Sequence, residues 1–206
     1  NDFHKKIAEN KFNNENDIRL ALNNIKKFGI DAIVAVGGDD TLSVAQKFHE
    51  MNIPVVGVPK TIDNDLSGTD YTFGFDTAVS IVTEAIDRLH TTAESHHRVI
   101  VVEVMGRHAG WIATIAGIAG GADEILVPEV PFNLDDICIN LKARYDRGKK
   151  FSIVAVAEGA TPIVKDVGND NTDNNSGVLQ NDKDRVLITQ TDEKDAFGHV
   201  RLGGIG

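Results

Sequence analysis

Two short apolar runs constrain this chain more than any other feature. Ile30 to Val36 reads Ile-Asp-Ala-Ile-Val-Ala-Val, and Ile53 to Val58 reads Ile-Pro-Val-Val-Gly-Val. Both read as buried parallel strands. Each then breaks into glycines, carboxylates and hydroxyls, and a helical pattern follows. The first break is Gly37-Gly38-Asp39-Asp40-Thr41 and the second is Pro59-Lys60-Thr61-Ile62-Asp63-Asn64-Asp65. In open α/β sheets, ligands sit at the carboxyl ends of strands. Two carboxylate-bearing loops on successive strands are therefore candidates for one site.

The rest of the chain keeps the alternation. Asn16 is placed to cap a helix running to about Phe28, with Ile18, Leu22, Ile25 and Phe28 at helical spacing and Gly29 ending it. Thr41 to Met51 reads as a helix with Leu42, Ala45 and Phe48 inward. A long polar loop, Pro59 to Phe75, leads to a helix capped by Asp76 or Thr77, with Val79, Val82, Ile86 and Leu89 on one face. Arg98 to Val104 is a β-branched third strand. Met105-Gly106-Arg107-His108-Ala109-Gly110-Trp111 then opens a helix, Ile112 to Gly121, whose small residues predict close packing. A fourth strand spans Glu124 to Val127. Asn133 caps a helix from Leu134 to Arg147, and a fifth strand, Phe151 to Ala157, ends in Glu158-Gly159. This order predicts an α/β fold with a mainly parallel sheet. From about Ala160 to Asp184, Asn, Asp and Gly dominate, which predicts a flexible polar insertion. Phe197 to Arg201 is expected to add a strand and loop to the same site.

The 206 residues suffice for one large or two small domains. A formal net charge of -10 without a long basic run argues against a nucleic-acid partner. The plainer meaning of the acidity is solubility. Cys138, the sole cysteine, excludes an internal disulfide and fits a reducing, cytoplasmic compartment; its apolar helical setting predicts a buried thiol. No apolar run reaches the roughly 18 residues of a membrane span, and no signal peptide is visible, so no membrane partner is expected. The chain starts at Asn1-Asp2-Phe3 and stops at Gly203-Gly204-Ile205-Gly206, neither of which reads as a natural terminus. It is expected to be a fragment.

The loops carry specific chemistry. A glycine pair after a strand lets the backbone approach a phosphate, and the following helix offers free N–H groups. Asp39 and Asp40 sit there; they read either as helix-capping acids or as groups that tolerate phosphate through a divalent metal or a nearby cation. Lys60 is a candidate for that cation, against the alternative of a solvated lysine. Asp63 and Asp65 suit a general base and a metal ligand in phosphoryl transfer, or else a simple Asx-turn loop. Arg107, just past a strand and beside a glycine, suits phosphate recognition. Arg98 lies at the other end of that strand. If Arg107 lines this chain's site, Arg98 serves a neighbouring subunit's. Walker A, Gly-x-Gly-x-x-Gly and clustered Cys/His patterns are absent from the sequence. His96, His97 and His108 read as polar loop residues.

Gly37-Gly38-Asp39-Asp40-Thr41, Pro59 to Asp65, Glu103-Val104-Met105-Gly106-Arg107 and Glu158-Gly159 together resemble the 6-phosphofructokinase family, in order and spacing, with Gly198-His199 continuing the match. The resemblance implies a Rossmann-like parallel sheet flanked by helices, with parts of two similar lobes. Residues 1–105 would be the remainder of a phosphoryl-donor lobe and residues 106–206 an incomplete sugar-phosphate lobe. The family's first glycine-rich loop would lie before Asn1. The implied reaction is phosphoryl transfer to the C1 hydroxyl of fructose 6-phosphate, a glycolytic step, with Mg²⁺. At the matched positions Asp63 would be the base, Asp39 would hold the metal with Asp65 assisting, and Thr61 would touch the transferring phosphate. Gly38, Asp39, Asp40, Thr41 and Lys60 would face the donor. Met105, Gly106, Arg107 and Glu158 would position the sugar phosphate, and Arg107 with Lys60 would act in the transfer. Arg98 and His199 would bind the 6-phosphate, Arg98 from another subunit of a homo-oligomer. ATP-using members typically carry glycine where this chain has Asp40 and Lys60, so both positions resemble the pyrophosphate-dependent branch.

Three other readings compete. One is the ATP-dependent form. Another is a catalytically silent sugar-phosphate-binding regulatory subunit, which should lack a base or metal carboxylate, whereas Asp39, Asp63 and Asp65 are all present. A NAD-kinase-like enzyme would share the Gly-Gly-Asp loop but has no reason to carry Met-Gly-Arg.

Overall fold

The structure is a computed structural model and describes residues 15–165 and 184–186. These fall into two compact units, residues 15–77 and residues 78–165 with 184–186. The fold is α/β, with parallel three-stranded sheets flanked by helices. Among the described residues no helix is long and apolar enough to cross a membrane.

The first unit opens with α1, Glu15–Lys27. It closes as the sequence predicts: Gly29 takes a left-handed φ of 62°, and the Ile30 N–H reaches back to the Ile25 carbonyl. Strand β1, Ile33–Gly37, pairs in parallel with β2, Val55–Thr61, in the register Ile33↔Val55 to Gly37↔Pro59. Between them α2, Asp39–Glu50, crosses one sheet face, with Ala45 buried and Leu42 lying against Gly57. The long polar loop expected from Pro59 to Phe75 is shorter than that. Strand β2 runs on through Thr61, and a two-residue strand β3, Phe73–Gly74, pairs with Lys60 and Thr61. The polar run hides these ends because a strand whose side chains are partly solvated loses its apolar signature. Parallel sheets are normally covered on both faces. Here the face away from α2 carries Val34, Val36 and Val56, which are 65%, 55% and 63% exposed.

Helix α3, Phe75–His96, begins one residue before the predicted caps and takes His96 into its last turn, so His96 is not a loop residue. In the second unit the sheet order is β4-β6-β5, all parallel, from Val99–Val104, Ser152–Ala157 and Glu124–Leu126. Every residue of β6 is buried, as an unbroken apolar run predicts for a central strand. Ile153 and Ala155 pack against Ile86 and Ala93 of α3. On the other face, Val154 and Val156 join Leu126, with Ile137 and Leu141 of α5, Leu134–Asp146. Helix α4, Trp111–Ala119, does pack closely: a Cβ on Gly117 would stand 2.8 Å from the Ile125 side chain.

Cys138 is exposed, contrary to the expected buried thiol. Ile137 and Leu141 are the residues of α5 turned inward, and the next position round the helix faces away. Strand β4 pairs with β6, so the third predicted strand shares a sheet with the later half of the chain, and the division between the compact units falls between Thr77 and Ala78. The stretch expected as an insertion starts inside ordered structure. Ala160 is fully buried, and β7, Ile163–Lys165, pairs antiparallel with β8, Asp184–Val186. Residues 166–183 lie outside the described residues, as do Phe197 to Arg201 and hence His199.

Candidate active site

In the first unit, parallel pairing of β1 with β2 puts both carboxylate loops at one end of one sheet. Gly38 is the N-cap of α2 with extended backbone and no side-chain cap bond. Asp39 and Asp40 occupy the first turn of α2, where the helix dipole favours negative charge. A Cβ on Gly38 would lie 3.6 Å from that of Thr61, so the two loops touch there. The Asp63 N–H donates to Thr61 Oγ1 at 3.2 Å, and that hydroxyl lies 3.4 Å from Asp63 Oδ2. This compact turn holds Asp63 half-buried just past the end of β2.

Asp39 and Asp65 line one cavity of about 620 Å³, with Ser43, Ser67 and Thr69. Both carboxylates are exposed to it. Among the described residues no three His, Cys, Asp or Glu side chains converge on a metal position. Two open carboxylates fit Mg²⁺, which commonly keeps several waters and binds through one or two carboxylates plus substrate phosphates. Lys60 is exposed and follows Val56 and Val58 by strand alternation, on the face away from α2. Its backbone stands at the carboxyl end of β2 with Thr61.

In the second unit the loop after β4 is built around one carboxylate. Glu158 Oε1 accepts the N–H of Gly106 at 3.1 Å and of Arg107 at 2.7 Å. Gly106 and Arg107 have φ of 148° and 52°, and the Ala109 N–H turns back to the Gly106 carbonyl at 2.9 Å. A left-handed arginine is uncommon and carries strain, which the two bonds from Glu158 offset. Met105 is exposed at the mouth of this loop. Glu129, which the sequence reading passed over, grips its far end: its Oε1 accepts the Gly110 N–H at 2.8 Å, at the start of α4. The signal for Glu129 was its place just after a strand, where α/β loops carry function. Arg98 stands before β4 and Arg107 after it, at opposite ends of that strand as the sequence predicted.

Comparison with known proteins gives the lineage. The phosphofructokinase family model matches residues 5–206. The chain is 59% identical over 86% of its length to a pyrophosphate–fructose 6-phosphate 1-phosphotransferase from Amycolatopsis mediterranei, covering 46% of that protein. It is 50% identical over 89% of its length to an ATP-dependent 6-phosphofructokinase from Corynebacterium efficiens, covering 47% of it. A crystal structure of a pyrophosphate-dependent phosphofructokinase from Nitrosospira multiformis superposes with a TM-score of 0.63 at 28% identity, over 71% of this chain and 41% of that one. The chain spans about half the length of the curated relatives it matches.

Proposed function

Because the chain belongs to the phosphofructokinase family, we propose that it is the donor-side and sugar-binding part of a phosphotransferase that converts fructose 6-phosphate to fructose 1,6-bisphosphate, with pyrophosphate as donor. The observation that carries this reading is the gathering of Asp39, Thr61, Asp63 and Asp65 at one end of the β1–β2 sheet.

Asp63 takes the proton of the C1 hydroxyl as that oxygen attacks the terminal phosphoryl group. Proton removal raises the nucleophilicity of the oxygen, and the departing phosphate carries the electron pair of the broken bond. Thr61 offers its hydroxyl to the group in transit. The N–H groups at the start of α2, with Gly38 and Thr41, face the donor. Asp39 would hold Mg²⁺ with Asp65 assisting; when bound, the ion spreads the charge that builds on the phosphate oxygens. Met105, Gly106 and Arg107 bind the sugar phosphate on a loop whose shape Glu158 maintains. Arg98 and His199 bind its 6-phosphate, Arg98 from a second subunit of a homo-oligomer working in the cytoplasm.

Asp40 and Lys60 support pyrophosphate. A carboxylate at Asp40 opposes the additional phosphate of a nucleotide, and Lys60 supplies a compact positive charge for a short, highly charged donor. The relatives include both donor classes, so ATP is the second reading. The test is a donor assay on the full-length protein with fructose 6-phosphate and Mg²⁺. A higher kcat/KM with pyrophosphate than with ATP is expected. The reverse result would replace the donor, and no turnover with either would remove the reaction.

A further inference from the structure

We propose that Thr72 is a positioning residue: with Asn64 it latches the loop that carries Asp63. The inference rests on the phosphotransfer reading for what Asp63 does, but the latch itself stands on geometry. Thr72 is 4% exposed and is one of two buried polar residues among those described. Its hydroxyl donates to the Thr61 carbonyl at 2.8 Å, and its N–H donates to Asn64 Oδ1 at 2.9 Å. The hydroxyl also lies 3.4 Å from Asn64 Oδ1, but it has one proton, and the shorter contact takes it. Asn64 Nδ2 in turn reaches the Asp70 carbonyl at 3.4 Å.

Thr61 and Asn64 flank the segment that contains Asp63, and Thr72 holds both. It fixes the Thr61 backbone on one side of the carboxylate and the Asn64 side chain on the other. Asn64 has a φ of 53°, a left-handed conformation that asparagine tolerates better than most residues. Its side chain is committed to the latch, so the turn geometry and the latch depend on each other. The pairing of Phe73–Gly74 with Lys60–Thr61 begins immediately after Thr72, so β3 anchors the latch to the sheet. Buried polar networks of this kind are costly to leave half-made. A small displacement of a reacting group costs more in rate than in binding, because the transition state demands closer geometry than the bound substrate does.

The experiment uses the full-length protein with Thr72→Val, which keeps the branched shape and the N–H but loses the hydroxyl, and Thr72→Ser, which keeps the hydroxyl. Thr72→Val is expected to lower kcat about tenfold or more, with KM for sugar phosphate and donor changed by less than about twofold. It should also speed amide exchange in residues 61–66, while Thr72→Ser behaves as the parent in both. Parent-like exchange in Thr72→Val would overturn the latch. A lowered melting temperature with parent kcat would reduce Thr72 to a purely structural residue and overturn the positioning role. Should Thr72→Val fail to fold, Asn64→Gly keeps the left-handed backbone and removes the acceptor, and the same outcomes decide. An inactive parent would remove the phosphotransfer reading alone, and the exchange comparison would still decide the latch.

Discussion

Glu158 accepts the Arg107 N–H at 2.7 Å, so a carboxylate at the end of β6 dictates the backbone of an arginine 51 positions earlier. The same oxygen takes the Gly106 N–H. Gly159 completes the grip, since its backbone passes so close to the Arg107 carbonyl that no side chain fits between them. A residue assigned by resemblance to substrate binding thus also shapes the loop on which its neighbours are mounted.

Glu158→Ala removes the acceptor of both bonds and leaves two half-buried N–H groups to water. The expected loss is about 1–3 kcal/mol, read as a lower urea midpoint with an unchanged slope. Glu158→Gln retains a carbonyl oxygen and should recover most of it. An unchanged midpoint in the alanine variant would mean that the loop holds its own shape.

Asp63→Ala should reduce turnover by about 10²–10⁴-fold, the usual contribution of a general base. Sugar-phosphate binding, measured by calorimetry, should survive. A variant with more than about a tenth of parental turnover would count against Asp63 as the base.

Donor choice is expected to follow Asp40 and Lys60. The pair Asp40→Gly with Lys60→Gly should raise the ratio of kcat/KM for ATP over pyrophosphate by about tenfold, the equivalent of about 1.4 kcal/mol. Like charges about 4 Å apart at an effective dielectric near 20 repel by roughly 4 kcal/mol, so a fraction of that suffices. A ratio that does not move would assign donor choice elsewhere.

Arg98 and Arg107 lie on either side of the six-residue strand β4, itself about 20 Å long at roughly 3.3 Å per residue. One sugar phosphate does not span that distance. Arg98→Ala is therefore expected to raise KM for the sugar phosphate while the subunit keeps its own Asp63 competent. Coexpressed with Asp63→Ala, it should regain activity through hybrid sites. Absence of complementation in a mixed oligomer would place Arg98 outside any shared site.

The sequence made the strand–helix alternation legible because apolar runs and helical spacing report which side of an element is buried. It also showed Asn133 as a helix cap, and the side chain does accept the Asp135 N–H at 2.9 Å. Periodicity does not report which strands become neighbours, so the pairing of β4 with β6 across two intervening helices and a strand was not visible. The ends of the loop around Asp63 were equally hidden. Thr72 sits in a polar run, and nothing local distinguishes a hydroxyl that closes a turn onto Thr61 from one that meets water. Glu129 was missed for the same reason: its partner, Gly110, is 19 residues away. The carboxylates of the Gly38–Asp65 region were found because both of their loops follow strands at once.

The grip of Glu158 on the loop after β4 also sets an order of events during synthesis. Gly106 leaves the ribosome 52 residues ahead of Glu158, roughly 3–10 s earlier at about 5–20 residues per second. Through that interval β4 lacks its partner β6, and the Arg107 N–H lacks the Glu158 carboxylate that accepts it. The loop after β4 is therefore among the last parts of the unit to acquire its shape, and it does so in the step that completes the sheet. A nascent chain arrested before Ser152 should carry this loop open to protease, and one extended well past Gly159 should protect it.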